Sequence, residues 1–115
     1  MADNIFKVAV SIPSDFSDIL MDALDEVVDP VYPGYRRCFT ISDVIGTWVP
    51  VEGSKPYIGE QDTITRVPEK RIEFAVKEYD LWTVLHIIER VHPYEEPAVD
   101  VIPMVAWRSV LEKKD

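Results

Sequence analysis

Two hydrophobic periods alternate along this chain, and their order limits its fold more than any other feature. In NIFKVAVSI, Phe6, Val8, Val10 and Ile12 fall on one side and Lys7, Ala9 and Ser11 on the other, the two-residue period of a strand buried on a single face. After Pro13 the period lengthens. Phe16, Ile19, Leu20, Ala23, Leu24 and Val27 recur at steps of three and four, which predicts an amphipathic helix capped by Ser14, with Asp15 and Asp18 near its positive end. DPVYPGYRR breaks the pattern with two prolines and a glycine. RRCFTISDVIGTWVPVEG then reads as two extended segments about a turn near Asp43 to Gly46, and GSKPYIGE, Gly53 to Glu60, as a surface loop.

DTITRVPEKRIEFAVKE is extended again, with Ile72, Phe74 and Val76 inward, Arg71, Glu73 and Lys77 outward, and an interruption near Pro68. A second helical stripe of Leu81, Val84, Leu85, Ile88 and Val91 runs from a cap at Asp80 to a stop at Pro93. The last element, AVDVIPMVAW, is extended, and Pro103 confines it to an edge or a bulge because proline has no N–H to donate. This order predicts an α+β fold, a ferredoxin-like split β-α-β-β-α-β sandwich with an antiparallel sheet and both helices on one face. The 115 residues are expected to form one domain, 1–115. The other sheet face, carrying Lys7, Ala9, Ser11, Arg71, Glu73 and Lys77, is mixed and polar, open to water or to another copy of the chain. Trp48 and Trp107 are expected in peripheral strands, as core residues or as anchors of subunit contacts.

A formal charge of -9 opposes association with phosphate backbones and anionic lipid. Nucleic acid and membrane are therefore not expected partners. The single Cys38 cannot form an internal disulfide, and MADNIFK has an acidic residue where a secretion signal would be basic. No uncharged apolar run is long enough to span a bilayer. A cytoplasmic setting is the expectation.

The stretch richest in chemistry is RVHPYEEPAVD, where His92 precedes Glu95 and Glu96 between Pro93 and Pro97. Each proline pushes the residue before it out of the helical region, so the segment reads as a rigid extended strut. Were it a polyproline helix, His92 and Glu95 would share a side with α-carbons about 9 Å apart, too far to chelate one ion without strain; a turn at Tyr94 would remove that objection. Two readings follow. In one, His92 sits on the last carbonyls of the second helix and the prolines set the angle into the final strand. In the other, His92, Glu95 and Glu96 face a cleft and hold a divalent metal ion together with groups from a neighbouring subunit. Arg36 and Arg37 suit pairing with the glutamates. His86 reads as a boundary residue of the second helix and Cys38 as a buried inert thiol in a strand. Phosphate loop, paired-cysteine metal signature and nucleophile elbow are all missing, so no catalytic residue is assigned.

GSKPYIGE followed at a distance by VHPYEEPAVDVIPM resembles the paired signature of the small inserted α/β domain of the Nif-three family, the NGG-one-interacting-factor proteins. The matching positions are Gly53, Pro56, Gly59 and Glu60, with His92, Pro93, Tyr94, Glu95, Glu96 and Pro97. The resemblance implies a CutA/PII-like fold, occurring also as a free-standing domain, and by analogy with those proteins a homo-oligomer, specifically a trimer. It places the family's dinuclear metal ligands in flanking halves, so it implies no hydrolase or cyclohydrolase activity for these residues. Three functional expectations follow: a non-enzymatic oligomeric module binding a small ligand or partner protein; a divalent-metal-binding protein; or an accessory subunit docking on a dinuclear-metal hydrolase.

Overall fold

A computed structural model describes residues 4–113. Its main elements are β1 (Ile5–Pro13), α1 (Ser17–Asp25), β2 (Thr40–Trp48), β3 (Thr65–Lys77), α2 (Leu81–Val91), β4 (Val99–Met104) and α3 (Trp107–Glu112). The four strands form one antiparallel sheet in the order β2-β3-β1-β4. This is the split β-α-β-β-α-β arrangement expected from the sequence, with β4 at an edge, where Pro103 is tolerated.

Register explains why one face is dry. Val8 stands opposite Phe74 and Val10 opposite Ile72 across β1 and β3, while on the other flank Val8 meets Val101 and Val10 meets Val99. These side chains share a face. Leu20, Met21 and Leu24 of α1 and Val84 and Ile88 of α2 join Val8, Val10, Ile12, Ile72, Phe74 and Val76 in a single buried cluster. Both helices therefore cover the same side of the sheet.

Several local expectations are corrected. Ile19 is 57% exposed and Met21 is buried in its place; the apolar stripe of α1 runs Ser17, Leu20, Met21, Leu24, and Ile19 falls on the far side of that stripe. Neither Ser14 nor Asp80 caps a helix with its side chain; an Asp80 carboxylate oxygen instead accepts from the Asp29 backbone N–H at 2.9 Å. No turn divides β2, because Asp43 to Gly46 pair in register with Lys70 to Val67 and Asp43 forms an ion pair with Lys70. Nor does Pro68 interrupt β3. The β1 ladder ends where Pro13 meets Glu69, so Thr65 to Pro68 have only β2 as a neighbour and the missing N–H of Pro68 need break no ladder on the open side. Trp107 begins the short α3 rather than lying in a strand. Cys38 is exposed in the segment before β2, its Sγ near the carbonyls of Tyr35 and Arg36. Ala9, on the supposedly polar face, is 1% exposed.

The arginines pair elsewhere. Arg36 binds Asp25 of α1 at 2.6 Å, and Arg37 reaches Asp22 at 3.0 Å, fastening the 29–39 loop to that helix and not to Glu95 or Glu96. The Arg36 guanidinium holds the Asp25 carboxyl below the usual carboxylate range. No described helix is long and apolar enough to cross a membrane.

Because Ile72 is fully buried in the second strand of the sheet, between β1 and β2, Ile72→Ala should lower the unfolding free energy by about 2–5 kcal/mol in urea titrations. Ile19→Ala, on the exposed side of α1, should change it by less than about 1 kcal/mol.

Candidate functional site

Helix α2 ends where Pro93 forces His92 into an extended conformation, φ -68 and ψ 130. The His92 backbone N–H still donates to Ile88 O at 2.8 Å. Its ring, however, turns inward and leaves the α2 carbonyls, lying with Nε2 2.6 Å from the Ser11 carbonyl of β1, while the Tyr94 backbone N–H donates to Nδ1 at 3.2 Å. A carbonyl only accepts and a backbone N–H only donates, so the network assigns the proton to Nε2 and leaves the imidazole neutral. Burial lowers the His92 pKa from its ordinary 6.5, against opposing effects of the Ser11 carbonyl and Glu69. His92 thus pins the turn after α2 to the end of β1.

From that pin the chain places Tyr94 over the sheet. Its hydroxyl donates to Glu69 Oε2 at 2.7 Å. Its ring packs on His92 at 4.8 Å and on Trp48, at the end of β2, at 5.1 Å between centroids. Burial first, and then the Glu69 carboxylate, raise the Tyr94 pKa, so the phenol stays a donor. Glu69 is 5% exposed. Its carboxylate fits because β2 carries Gly46 beside it: a Cβ there would lie 2.3 Å from Glu69 Oε1.

The loop at 53–60 closes the other side. Glu95 accepts from the Lys55 backbone N–H at 2.8 Å, and the Trp48 indole N–H donates to Ile58 O at 3.2 Å. Tyr57 packs between Phe16 and Tyr94 at centroid distances of 6.2 and 6.3 Å. Gly53 and Gly59 adopt φ of +91 and +117, and at Gly59 a side chain would also strike Thr65 Oγ1. Between this loop, the second half of β2, Glu69 and Arg71 of β3, and the 94–98 segment lies a cleft of about 630 Å³.

Of the sequence-predicted residues, Pro56, Tyr94, Glu95 and Glu96 line this cleft. His92 lies behind it with both ring nitrogens engaged. Gly53, Gly59 and Glu60 shape the opposing loop, the Glu60 carbonyl accepting from the Thr63 backbone N–H, and Pro93 and Pro97 bracket the strut. No three His, Cys, Asp or Glu side chains among the described residues stand close enough to hold a metal ion, so His92, Glu95 and Glu96 do not converge within one chain. His86 is exposed, its ring stacked on Trp82 at 5.0 Å. Glu69, Gly46 and Ser11 went unrecognised in the sequence. A glycine inside a strand is the signal that could have found the first two, since it marks close approach by another group.

Comparison with known proteins adds a family. A GTP cyclohydrolase 1 type 2 homolog from Staphylococcus epidermidis is 35% identical over 99 residues, 86% of this chain but 27% of the relative. The crystal structure of a Bacillus cereus protein related to NIF3 superposes with a TM-score of 0.79 at 30% identity, covering 92% of this chain and 27% of that one. By sequence and by fold, the chain matches one segment of the Nif-three family. It spans about a quarter of the length of the relatives it matches. CutA1 from Ehrlichia chaffeensis superposes with a TM-score of 0.66 at 17% identity over 92% of this chain and 86% of that one, which shows the shared fold alone. The sandwich of this Nif-three segment is accordingly of the CutA and PII type. No family model matches the chain.

Two outcomes are expected at this site. Gly46→Ala should displace the Glu69 carboxylate from Tyr94 and lower stability by about 1–3 kcal/mol, measured by urea unfolding. The His92 pKa is depressed on folding, so the unfolded chain binds the extra proton first; the stability this contributes is complete above pH 6.5 and is lost as pH falls below it, toward the folded value. The urea midpoint should fall over that window in the native protein, and His92→Gln should abolish that part of the fall.

Proposed function

We propose that this Nif-three segment is a non-enzymatic, self-associating module that binds a small ligand in the cleft between its two signature segments. The observation that carries this reading is the construction of the cleft: residues 53–60 and 92–97, far apart in sequence, are bonded to each other and to the sheet around one opening. Such a cleft, mostly apolar with a few convergent polar groups, has the character of a ligand site. The groups best suited to proton transfer are engaged in holding it together, which favours binding over turnover. His92 has no free nitrogen, and Tyr94 is raised away from ionisation.

Self-association is supported by apolar surface on the strands. Ile41 and Ile45 of β2 are 48% and 62% exposed, and Ile102 of β4 is 48% exposed. A trimer is the assembly proposed. A second reading, a divalent cation at a subunit junction, is favoured by the exposure of Glu95 and Glu96 at the cleft, where a neighbouring chain could add the missing ligands. The cyclohydrolase chemistry in the relatives' name is not proposed for a segment spanning a quarter of them.

Equilibrium sedimentation at tens of micromolar should return three times the 13.2 kDa chain mass; a monomer throughout would overturn the self-association. Calorimetric titration with zinc, before and after Glu95→Gln with Glu96→Gln, addresses the second reading, which predicts heat lost in the double variant.

A further inference from the structure

Glu69 is a nearly buried carboxylate with one oxygen hydrogen-bonded and the other open to the cleft. It is only 5% exposed, yet it takes part in none of the ion pairs of the described residues. Its single hydrogen bond from the described residues comes from a neutral phenol, on Oε2. Both carboxylate oxygens lie over Gly46; Oε1 has no donor among the described residues, and since none of their fully buried side-chain oxygens lacks a partner, it keeps surface at the cleft. The neighbouring cations are committed elsewhere: Lys70 to Asp43, and Arg71, which lines the same cleft, to Asp100 at 3.6 Å and Glu73 at 4.0 Å. Holding a carboxylate largely out of water without a cation is costly, and a well-placed cation offsets part of that cost.

The walls beside Glu69 specify the rest of the partner. Trp48, Tyr57 and Tyr94 present three aromatic rings, which attract cations through their faces and accept apolar groups equally well. Val49, Pro50 and Val51 extend the apolar surface, and Glu95 and Glu96 add negative charge at the same cleft. Three carboxylates thus line the opening against one guanidinium that already has partners. An anionic ligand would meet repulsion; a bare metal ion would find no described trio of ligands.

We propose that the cleft takes an organic cation, an ammonium group on an apolar or aromatic body, with the ammonium seated on Glu69 Oε1 and the body against Trp48 and Tyr94. This rests on reading the cleft as a ligand site, and deepens that reading by naming the ligand's charge and the residue that selects it.

The test uses the full chain, isotopically labelled, with benzylammonium, benzyl alcohol, benzoate and zinc as probes. The readout is the Trp48 indole N–H resonance, assigned with Trp48→Phe. Benzylammonium should shift it in a saturable manner, benzyl alcohol should bind at least tenfold more weakly, and benzoate should leave it unmoved. Glu69→Gln should weaken benzylammonium at least tenfold while leaving benzyl alcohol within about twofold. If benzyl alcohol or benzoate binds as tightly as benzylammonium, the cleft is a ligand site but the cation assignment is wrong. If no probe moves the resonance, the ligand-site reading fails with it. A response to zinc without one to benzylammonium overturns the organic cation in favour of a metal. The four probes on native protein decide these outcomes even if Glu69→Gln does not fold.

Discussion

The pairing of β1 with β3 is the constraint on which the rest of the molecule depends. Because side chains alternate across a strand, placing Val8 opposite Phe74 and Val10 opposite Ile72 commits every second residue of both strands to one face. A slip of one residue would carry Lys7 and Arg71 into the cluster that α1 and α2 cover, burying charges without partners. The register also sets where β1 stops. It ends opposite Glu69, and β3 continues four residues further toward its own start beside β2 alone. The cleft lies where the ladder changes width, lined by Val44 to Trp48 of β2 and by Glu69 and Arg71 at the end of the β1 pairing, so the position of the candidate site follows from the same pairing that makes the core.

The overhang would be a bare two-stranded ribbon, and such ribbons are marginal in water by themselves. Two segments steady it. The 92–98 segment arrives from α2, fixed by His92 on Ser11 and by Ala98 accepting from the Ser11 N–H at 3.3 Å. The 53–60 loop arrives from β2, held by the Trp48 indole on Ile58 and by Tyr57 between Phe16 and Tyr94. Tyr94 touches both sides, with its ring on Trp48 and its hydroxyl on Glu69. A network of this kind is most effective when every member is satisfied, since each unpaired polar group under an apolar cover costs free energy. The Oε1 atom of Glu69 is where the network meets the cleft.

The sequence revealed the fold further than it revealed the site, for a physical reason. Periodicity reports which residues face a common core, and Val8, Val10, Ile72, Phe74, Val84 and Ile88 were all recognisable from it. Its failures lay where tertiary partners decide the outcome. Asp43 to Gly46 looked like a turn because Asp and Gly favour turns, but pairing with β3 and the charge on Lys70 hold them extended. His92 was recognised as important through its prolines, whereas its ring partner, the Ser11 carbonyl, lies 81 positions away and leaves no local trace. Glu69 alternates as an ordinary strand residue, and only the structure places it under Tyr94.

The prolines near the site show how the chain reconciles rigidity with the ladder. Pro13 closes β1, Pro68 lies just beyond the last β1 pairing, Pro93 stops α2 and Pro97 precedes β4. Each stands where a backbone N–H is dispensable and where a fixed φ narrows the directions the chain can take. The result is a cleft with one wall on the proline-braced 93–97 strut and the other on the loop after β2, which the Trp48 and Tyr57 contacts hold in place. A ligand entering it would meet much of its recognition surface already in place, and less of the binding energy would go into ordering the protein. The same strand joins the cleft to the sheet edge: Trp48, whose ring packs on Tyr94, ends β2, and β2 exposes Ile41 and Ile45, the surface proposed to meet another copy.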